Sequence, residues 1–446
     1  MLKRIFSIFF AFFIIFTLLV TPVSVSAYQV TGFDITAKNG MLISMDTGEI
    51  LFEKKVDAKV YPASITKIMT AVVILDSGKF DPHGTVTMTE DIETLVTGTG
   101  SSVSNIKPGE QFSQLDLLYM VIMSSFGDCT YLAAKLYGGS VEAFVDMMNE
   151  KADQLGLEGT NYSNPVGLHE EENYTTVRDI YKLTTYALKN STFKEICETT
   201  RYKMPATNMH VERNLSTTNF LHDSNTNYYY QYAKGVKTGF TDEAGRCLVS
   251  TASYKGYNYM CILMGCPANE KNHFTESANL YRWAFNNFKF KEVATSTEPV
   301  CEMPVNLSFD ADYVPLYFKE PFVTILPKEA DESTIVVNYK LKSDSVDAPV
   351  KKGDVLGKAE VIYAEKVVGT VDLVAGNDLS ANTLLVIFDM VKSFFTSIYM
   401  KVFYIIIGIA VAIFIIICIR LNMSNTKKRK VKYIPYSQEE RRRHEK

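Results

Sequence analysis

The residues most able to do chemistry are a serine and a lysine three positions apart, Ser64 and Lys67, and a second lysine in the triplet Lys237-Thr238-Gly239. A serine hydroxyl is a poor nucleophile at neutral pH and needs a neighbouring base, and a lysine three residues later on a helix can reach it. Burial and a second cation such as Lys237 would lower the pKa of Lys67 and leave it partly neutral, as a base must be. The pattern indicates a serine acyl-transfer enzyme with Ser64 as the nucleophile and Lys67 as the general base.

A helix that begins near Pro62 is expected to position the pair. Pro62 suits the start of a helix, and apolar residues follow at helical spacing until Gly78. Ser64 would then lie in the first turn, where unpaired backbone N–H groups and the helix dipole favour an alkoxide or an oxyanion. Ser-x-x-Lys occurs three more times in the chain, so the tetrad is informative only in this context.

Several segments together resemble the penicillin-binding D-alanyl-D-alanine carboxypeptidases, serine peptidases of the S11 family that share a mechanism with class A β-lactamases. The resemblance implies an α/β (α+β) transpeptidase domain followed by a small all-β domain. It also implies that Ser64 attacks the carbonyl between two D-alanines of a peptidoglycan pentapeptide, releases the terminal D-alanine and so limits cross-linking. β-Lactams would inhibit by acylating the same serine. The matching segments are residues 62–71, 148–156, 164–168, 174–176, 219–221 and 235–245.

The second motif of this family, Ser-x-Asn, is only partly matched. Its counterpart is expected at Ser125-Phe126-Gly127, where Ser125 fits the role of proton relay and Gly127 replaces the asparagine. In the family that amide bonds both the catalytic lysine and a substrate carbonyl, and a charge-assisted hydrogen bond contributes ~1.5 to 3 kcal/mol. The loss predicts a slower enzyme. Either Asp128 or an ordered water substitutes for the amide, or Asp128 only caps or packs locally.

The third motif, Lys237-Thr238-Gly239, is assigned by the resemblance to the opposite wall of the cleft, on an edge strand. There the lysine and the threonine hydroxyl would hold the terminal carboxylate of the substrate. The backbone N–H of Phe240, with that of Ser64, would form the oxyanion hole, and such a donor contributes ~3 kcal/mol to lowering the barrier.

No metal ion and no organic cofactor is expected. Six histidines are scattered along the chain, and residues 169–173 lack the second histidine of a zinc-protease helix. The seven cysteines show no zinc spacing. Disulfides and small buried thiols both stay open for the cysteines that would face outside the cell.

Two other functions share parts of the pattern. A class A β-lactamase has the Ser-x-x-Lys and Lys-Thr-Gly motifs but needs Glu-x-x-Leu-Asn for deacylation, and the nearest string, residues 212–216, lacks that asparagine. A weakly catalytic or non-catalytic protein that senses penicillin or stem peptides is favoured only by Gly127. The carboxypeptidase agrees with the most motifs.

The ends of the chain predict a secreted protein held in the cell membrane. Residues 1–27 have the basic start, apolar run and small-residue cleavage site of a signal peptide. Residues 402–419 are 18 positions without a charge, about 27 Å of helix, which can span a thin bilayer. Residues 420–446 carry ten basic and three acidic residues and should stay in the cytoplasm. The catalytic domain is therefore expected outside the cytoplasm, on a single C-terminal span.

The segment between these ends is too long for one ordinary core, so two domains are expected. Residues 28–293 would form the catalytic domain, and residues 300–383 a β-rich domain that acts as a stalk or partner-binding module. Residues 384–400 have the apolar spacing of an amphipathic interfacial helix. The formal net charge is −4 although the tail is basic, so the outer part is acidic and argues against binding nucleic acid.

Overall fold

A computed structural model describes residues 35–331, 335–363 and 366–428. The predicted signal peptide and the tail beyond residue 428 lie outside this part of the chain. The chain divides into two compact units. The first comprises the described part of Met1–Ala294 with Phe322–Val337 and Val361–Gly369, and the second comprises Thr295–Pro321, Asn338–Glu360 and the described part of Thr370–Lys446.

The first unit is built on a five-stranded antiparallel sheet with strand order β2-β1-β9-β8-β7. Strand β7 lies at one edge, which leaves one side of its backbone free to meet another chain. Two short antiparallel strand pairs, β3–β4 and β5–β6, lie outside this sheet. The strands are β1 (Asn39–Ser44), β2 (Ile50–Lys54), β3 (Thr85–Thr87), β4 (Gln111–Ser113), β5 (Arg201–Met204), β6 (Arg213–Ser216), β7 (Ala233–Thr241), β8 (Gly245–Tyr254) and β9 (Tyr257–Cys266).

Helices cover both faces of this sheet. Alternate residues of each strand point to opposite faces and therefore pack into two separate cores. Met260 and Ile262 of β9 pack into the core on one face, whereas Tyr259 and Cys261 pack into the core on the other. Helices α1 to α7 contribute to the first core and α8 to the second. They are α1 (Lys67–Asp76), α2 (Asp91–Val96), α3 (Gln114–Ile122), α4 (Gly127–Gly138), α5 (Val141–Gln154), α6 (Val177–Ala187), α7 (Ser191–Glu198) and α8 (Asn272–Asn287).

The segment that carries Ser64 differs from the single helix expected from the sequence. Residues Ala63–Thr66 form a 3-10 turn, and the α-helix begins only at Lys67. Ala63 has a φ of +47°, outside the right-handed helical region, so a regular α-helix does not start at Pro62. Ser64 therefore stands just before helix α1, whose first residue is Lys67.

Two further strands of the first unit, β10 (Phe288–Ala294) and β13 (Phe322–Pro327), pair antiparallel. Residues 301–375 contribute a six-stranded sheet with strand order β14-β16-β17-β12-β11-β15. The small all-β domain expected after the catalytic domain is thereby confirmed. Its strands are β11 (Cys301–Asn306), β12 (Tyr313–Phe318), β14 (Val336–Leu341), β15 (Val346–Asp347), β16 (Val355–Tyr363) and β17 (Lys366–Ala375).

Two helices follow this sheet in the chain. Helix α9 (Thr383–Thr396) carries exposed apolar side chains, among them Leu384, Phe388 and Phe394. Helix α10 (Ile398–Lys428) contains the stretch Ile398–Met423, which among the described residues is the one helix long and apolar enough to cross a membrane.

All seven cysteines are free thiols. Five of them, Cys129, Cys197, Cys247, Cys261 and Cys266, are buried in the first unit. Of the two alternatives left open by the sequence, the structure favours small buried hydrophobic residues over disulfides.

Candidate active site

The hydroxyl of Ser64 and the side-chain amino group of Lys67 are in direct contact. Lys67 Nζ lies 2.9 Å from Ser64 Oγ and donates a second hydrogen bond of 2.7 Å to the carbonyl oxygen of Val166. The Lys67 side chain is buried, with 1% of its surface exposed. A short turn thus puts the reacting hydroxyl within reach of a lysine that is fixed from two sides.

Burial lowers the pKa of Lys67 well below its ordinary value, and the positive charge of Lys237 lowers it further. Moving an ammonium group out of water is costly, so burial shifts the protonation equilibrium of Lys67 towards the neutral amine. A neutral amine has a lone pair that can accept the Ser64 proton. The environment of Lys67 is therefore that of a general base.

Lys237 reaches the same cleft from the edge strand β7. Its Nζ donates to Ser125 Oγ at 2.9 Å and to the carbonyl oxygen of Thr238 at 3.0 Å. Burial also lowers the pKa of Lys237, to about 7. Ser125 has a φ of +63°, and such left-handed residues other than glycine are concentrated at functional sites. The second and third motifs are thus joined by a direct hydrogen bond.

The threonine of the third motif has a partner that the sequence analysis did not identify. Thr238 Oγ1 lies 2.7 Å from Thr218 Oγ1, so the neighbouring hydroxyl fixes its orientation. Thr218 precedes the segment 219–221 that carries part of the family resemblance. This proximity to a matching segment was the only feature of the sequence that pointed to Thr218.

Two glycines allow neighbouring backbone segments to pack closely against the turn that carries Ser64. A Cβ on Gly239 would lie 3.1 Å from the backbone nitrogen of Ser64, which leaves little space between β7 and Ser64. A Cβ on Gly167 would lie only 1.9 Å from the carbonyl oxygen of Ala63, and Gly167 has a φ of +87°. Any larger residue at 167 would displace the turn that carries Ser64.

A cleft of about 600 Å³ opens over Ser64, within the size range of small-molecule and peptide sites. Ser64, Ser125 and Phe240 line it, together with the acidic side chains of Glu170 and Asp242. Phe240 is partly exposed at the rim.

The guanidinium of Arg246 lies 5.0 Å from the centroid of the Phe240 ring, and its Nε donates to the carbonyl oxygen of Ala268. Arg246 is thus engaged with the ring and the backbone at the edge of the sheet.

At the second motif, Gly127 is the first residue of α4, and the carboxylate of the next residue, Asp128, is bound by Ser104. Asp128 Oδ2 accepts hydrogen bonds from the hydroxyl of Ser104 at 2.6 Å and from its backbone N–H at 2.8 Å. Asp128 is buried. Of the alternatives left open for Asp128, the structure favours local capping over substitution for the missing amide.

The residues that sequence reasoning missed act mainly through the backbone or lie far away in the chain. The carbonyl of Val166 holds Lys67, and a carbonyl leaves no signature in the residue type. Ser101 lines the cleft with Ser64 and Ser125, although no motif marks it.

The chain matches two family models. Residues 24–268 match the model of the S11 peptidases, described as D-alanyl-D-alanine carboxypeptidase. Residues 306–381 match the C-terminal domain of penicillin-binding protein 5. The two matched ranges cover the catalytic motifs and most of the six-stranded sheet.

Curated relatives and solved structures agree with these matches. The chain is 29% identical over 325 residues to D-alanyl-D-alanine carboxypeptidase DacF of Bacillus subtilis, which covers 72% of this chain and 80% of that protein. It is 30% identical over 371 residues to DacA of Haemophilus influenzae, covering 79% and 87%. The crystal structure of penicillin binding protein 5 from Haemophilus influenzae aligns with a TM-score of 0.67 at 28% identity, covering 79% and 99%. Motifs, fold and relatives together place this chain in the D-alanyl-D-alanine carboxypeptidase family of serine peptidases.

Proposed function

We propose that this protein is a penicillin-binding D-alanyl-D-alanine carboxypeptidase that removes the terminal D-alanine from peptidoglycan stem peptides through an acyl-enzyme on Ser64. The observation that carries the proposal is the 2.9 Å contact between Ser64 Oγ and Lys67 Nζ, because the lysine is buried and its pKa is lowered. A hydroxyl next to a neutral amine is an activated nucleophile.

In the acylation step Ser64 Oγ attacks the carbonyl carbon between the two D-alanines, and its proton passes to Lys67. Collapse of the tetrahedral intermediate breaks the peptide bond. The leaving amine of D-alanine needs a proton, and Ser125, which is hydrogen-bonded to Lys237, is suited to relay one. The products of this step are free D-alanine and an ester on Ser64.

Substrate binding is assigned to the third motif. Lys237 and Thr238 would hold the terminal carboxylate, and the backbone N–H groups of Ser64 and Phe240 would stabilise the oxyanion. Gly239 supports this assignment, because a side chain there would crowd the Ser64 backbone nitrogen at 3.1 Å. Water then hydrolyses the ester and regenerates the enzyme.

The proposed location is the outer face of the cell membrane. Residues 402–419 lie within the helical stretch Ile398–Met423, which is long and apolar enough to span a bilayer. We propose that residues 28–293 form the catalytic domain, residues 300–383 its stalk and residues 420–446 the cytoplasmic tail. Residues 384–400 would be the interfacial segment, although α9 ends at Thr396 and residues 398–400 already belong to α10. The exposed apolar side chains of α9 support the interfacial role.

The pH profile of turnover provides one prediction. Lys237 has a pKa of about 7, so it is charged below pH 7 and neutral above it, and the terminal carboxylate needs the charged form. We expect kcat/KM for a peptide ending in D-Ala-D-Ala to fall by about tenfold per pH unit well above pH 7. Lys237→Arg keeps a cation at every accessible pH, so its profile should lose this alkaline limb. An alkaline limb that persists unchanged in Lys237→Arg would contradict the assignment.

Labelling with penicillin and D-alanine release test the function directly. The full chain in detergent, as wild type and Ser64→Ala, would be mixed with fluorescent penicillin, and D-alanine released from a D-Ala-D-Ala peptide would be measured in parallel. We expect both signals from the wild type and neither from Ser64→Ala. Labelling without release would favour a penicillin-binding sensor. Absence of labelling in the wild type would refute the acyl-enzyme.

A further inference from the structure

The hydroxyl of Ser101 occupies the space that a side chain at position 127 would need. A Cβ on Gly127 would lie 2.0 Å from Ser101 Oγ and 3.0 Å from Ser101 Cβ. An asparagine at 127 therefore requires the Ser101 side chain to move. The glycine in the second motif and the serine at 101 are two parts of one steric arrangement.

The loop that carries Ser101 is held against the start of helix α4. The backbone N–H of Gly127 donates to the carbonyl oxygen of Ser102 at 2.7 Å. Two residues further on, the N–H and hydroxyl of Ser104 both donate to the buried carboxylate of Asp128. These bonds on either side of position 103 hold the loop against the second motif, and the first of them lies one residue after Ser101.

The Ser101 hydroxyl is available to a ligand. Within the part of the chain that the structure describes, its oxygen makes no hydrogen bond, although the Ser101 backbone N–H is bonded to Thr99 Oγ1 at 3.2 Å. Ser101 lines the same cleft as Ser64 and Ser125. A hydroxyl has one donor and two acceptor positions, so it can donate to a carbonyl as an amide does.

An extended substrate in the cleft would bring one of its carbonyl groups towards Ser101. A peptide that lies along the free edge of β7 has successive carbonyls on opposite sides. If the carbonyl attacked by Ser64 points to the oxyanion hole on the β7 side, the carbonyl of the preceding residue points to the opposite wall. Ser101, which packs against Gly127, lines the cleft from a segment other than β7.

We propose that Ser101 is a substrate-binding residue and that its hydroxyl donates a hydrogen bond to the amide carbonyl that precedes the penultimate D-alanine, or to the side-chain amide carbonyl of a penicillin. The other task of the family's asparagine, holding the catalytic lysine, falls to the carbonyl of Val166, which accepts from Lys67 Nζ at 2.7 Å. The asparagine is thus replaced by two groups from different loops. This inference rests on the function proposed above.

The first test compares Ser101→Ala with Ser224→Ala, the same change on an exposed serine that does not line the cleft. Acylation rates of the full chain in detergent would be measured with benzylpenicillin, which has a side-chain amide, and with 6-aminopenicillanic acid, which lacks it. Both would be followed by competition with fluorescent penicillin. We expect Ser101→Ala to slow acylation by benzylpenicillin about 10-fold and to leave the reaction with 6-aminopenicillanic acid unchanged. Ser224→Ala should affect neither reaction.

A swap of the two residues provides the second test. Gly127→Asn alone should acylate slowly because its Cβ would clash with Ser101, and Ser101→Gly alone should resemble Ser101→Ala. The double variant Ser101→Gly with Gly127→Asn should be faster with benzylpenicillin than either single variant, since it regains a donor without the clash.

Two results would overturn this inference alone, provided that the wild type is labelled. In the first, Ser101→Ala reacts as fast as the wild type. In the second, Ser101→Ala slows equally with both penicillins. Wild type that neither penicillin labels would overturn the proposed function together with it.

Discussion

Lys67→Arg is expected to slow the acylation of Ser64 by about 10²- to 10⁴-fold, the range that a general base contributes. Lys67 Nζ lies 2.9 Å from Ser64 Oγ, and burial lowers its pKa well below the ordinary value. A guanidinium keeps its proton at every accessible pH and has no lone pair to accept one. The variant would retain a positive charge and hydrogen-bond donors at this position while losing the base.

The measurement is the second-order rate of labelling by fluorescent penicillin, with Lys194→Arg as the control. Lys194 is an exposed lysine on α7, so the same exchange there should leave the rate unchanged. Because a larger side chain in a buried site can destabilise the fold, the melting temperature would be measured alongside, and Lys67→Ala would repeat the test without added bulk. Labelling of both Lys67 variants at more than a tenth of the wild-type rate would rule out Lys67 as the base.

Gly167→Ala is expected to cost about 2 to 4 kcal/mol of stability and to slow acylation at least tenfold. The new Cβ would lie 1.9 Å from the carbonyl oxygen of Ala63, which adds an overpacking penalty of about 1 to 3 kcal/mol to the strain of an alanine at positive φ. Relief of the clash must move either the turn before Ser64 or the backbone at Val166. Both movements disturb the contacts of Lys67.

Gly156→Ala is the matched control for this variant. Gly156 also has a positive φ, +64°, but a Cβ there would meet no atom within 4 Å. It should therefore lose only about 1 kcal/mol through backbone strain and react normally with penicillin. Melting temperature and labelling rate of the full chain in detergent would be compared for both variants. If the two alanine variants had the same melting temperature and labelling rate, the close contact between Gly167 and Ala63 would have no role in stability or acylation.

The loop that carries Ser101 gives a physical explanation for Gly127 in the second motif. Taken by itself, Gly127 removes a side-chain donor and acceptor from the cleft and argues for a weak enzyme or a sensor. The Ser101 hydroxyl lies where that side chain would begin, and the Val166 carbonyl already holds Lys67. These contacts favour an active enzyme whose acyl-side recognition is built from different residues.

The sequence by itself determined the chemistry and the order of its parts. Ser64 and Lys67 are three positions apart, so local geometry alone brings them within reach, and the Lys-Thr-Gly triplet is recognisable from residue types. The amphipathic and apolar C-terminal segments are likewise local patterns, and they correspond to helices α9 and α10. Family resemblance supplied the fold, because several motifs occur in the right order.

Only the tertiary structure decided how distant parts meet at the cleft. Pairing of β7 at the sheet edge brings Lys237 to Ser125, and loop packing brings Ser101 onto Gly127. The sequence was equally compatible with a catalytic role for the Asp128 carboxylate. Only the packing shows that this carboxylate binds Ser104. The physical reason is that backbone carbonyls and φ angles leave no mark on residue identity, while contacts between distant segments depend on the register and packing of the whole sheet.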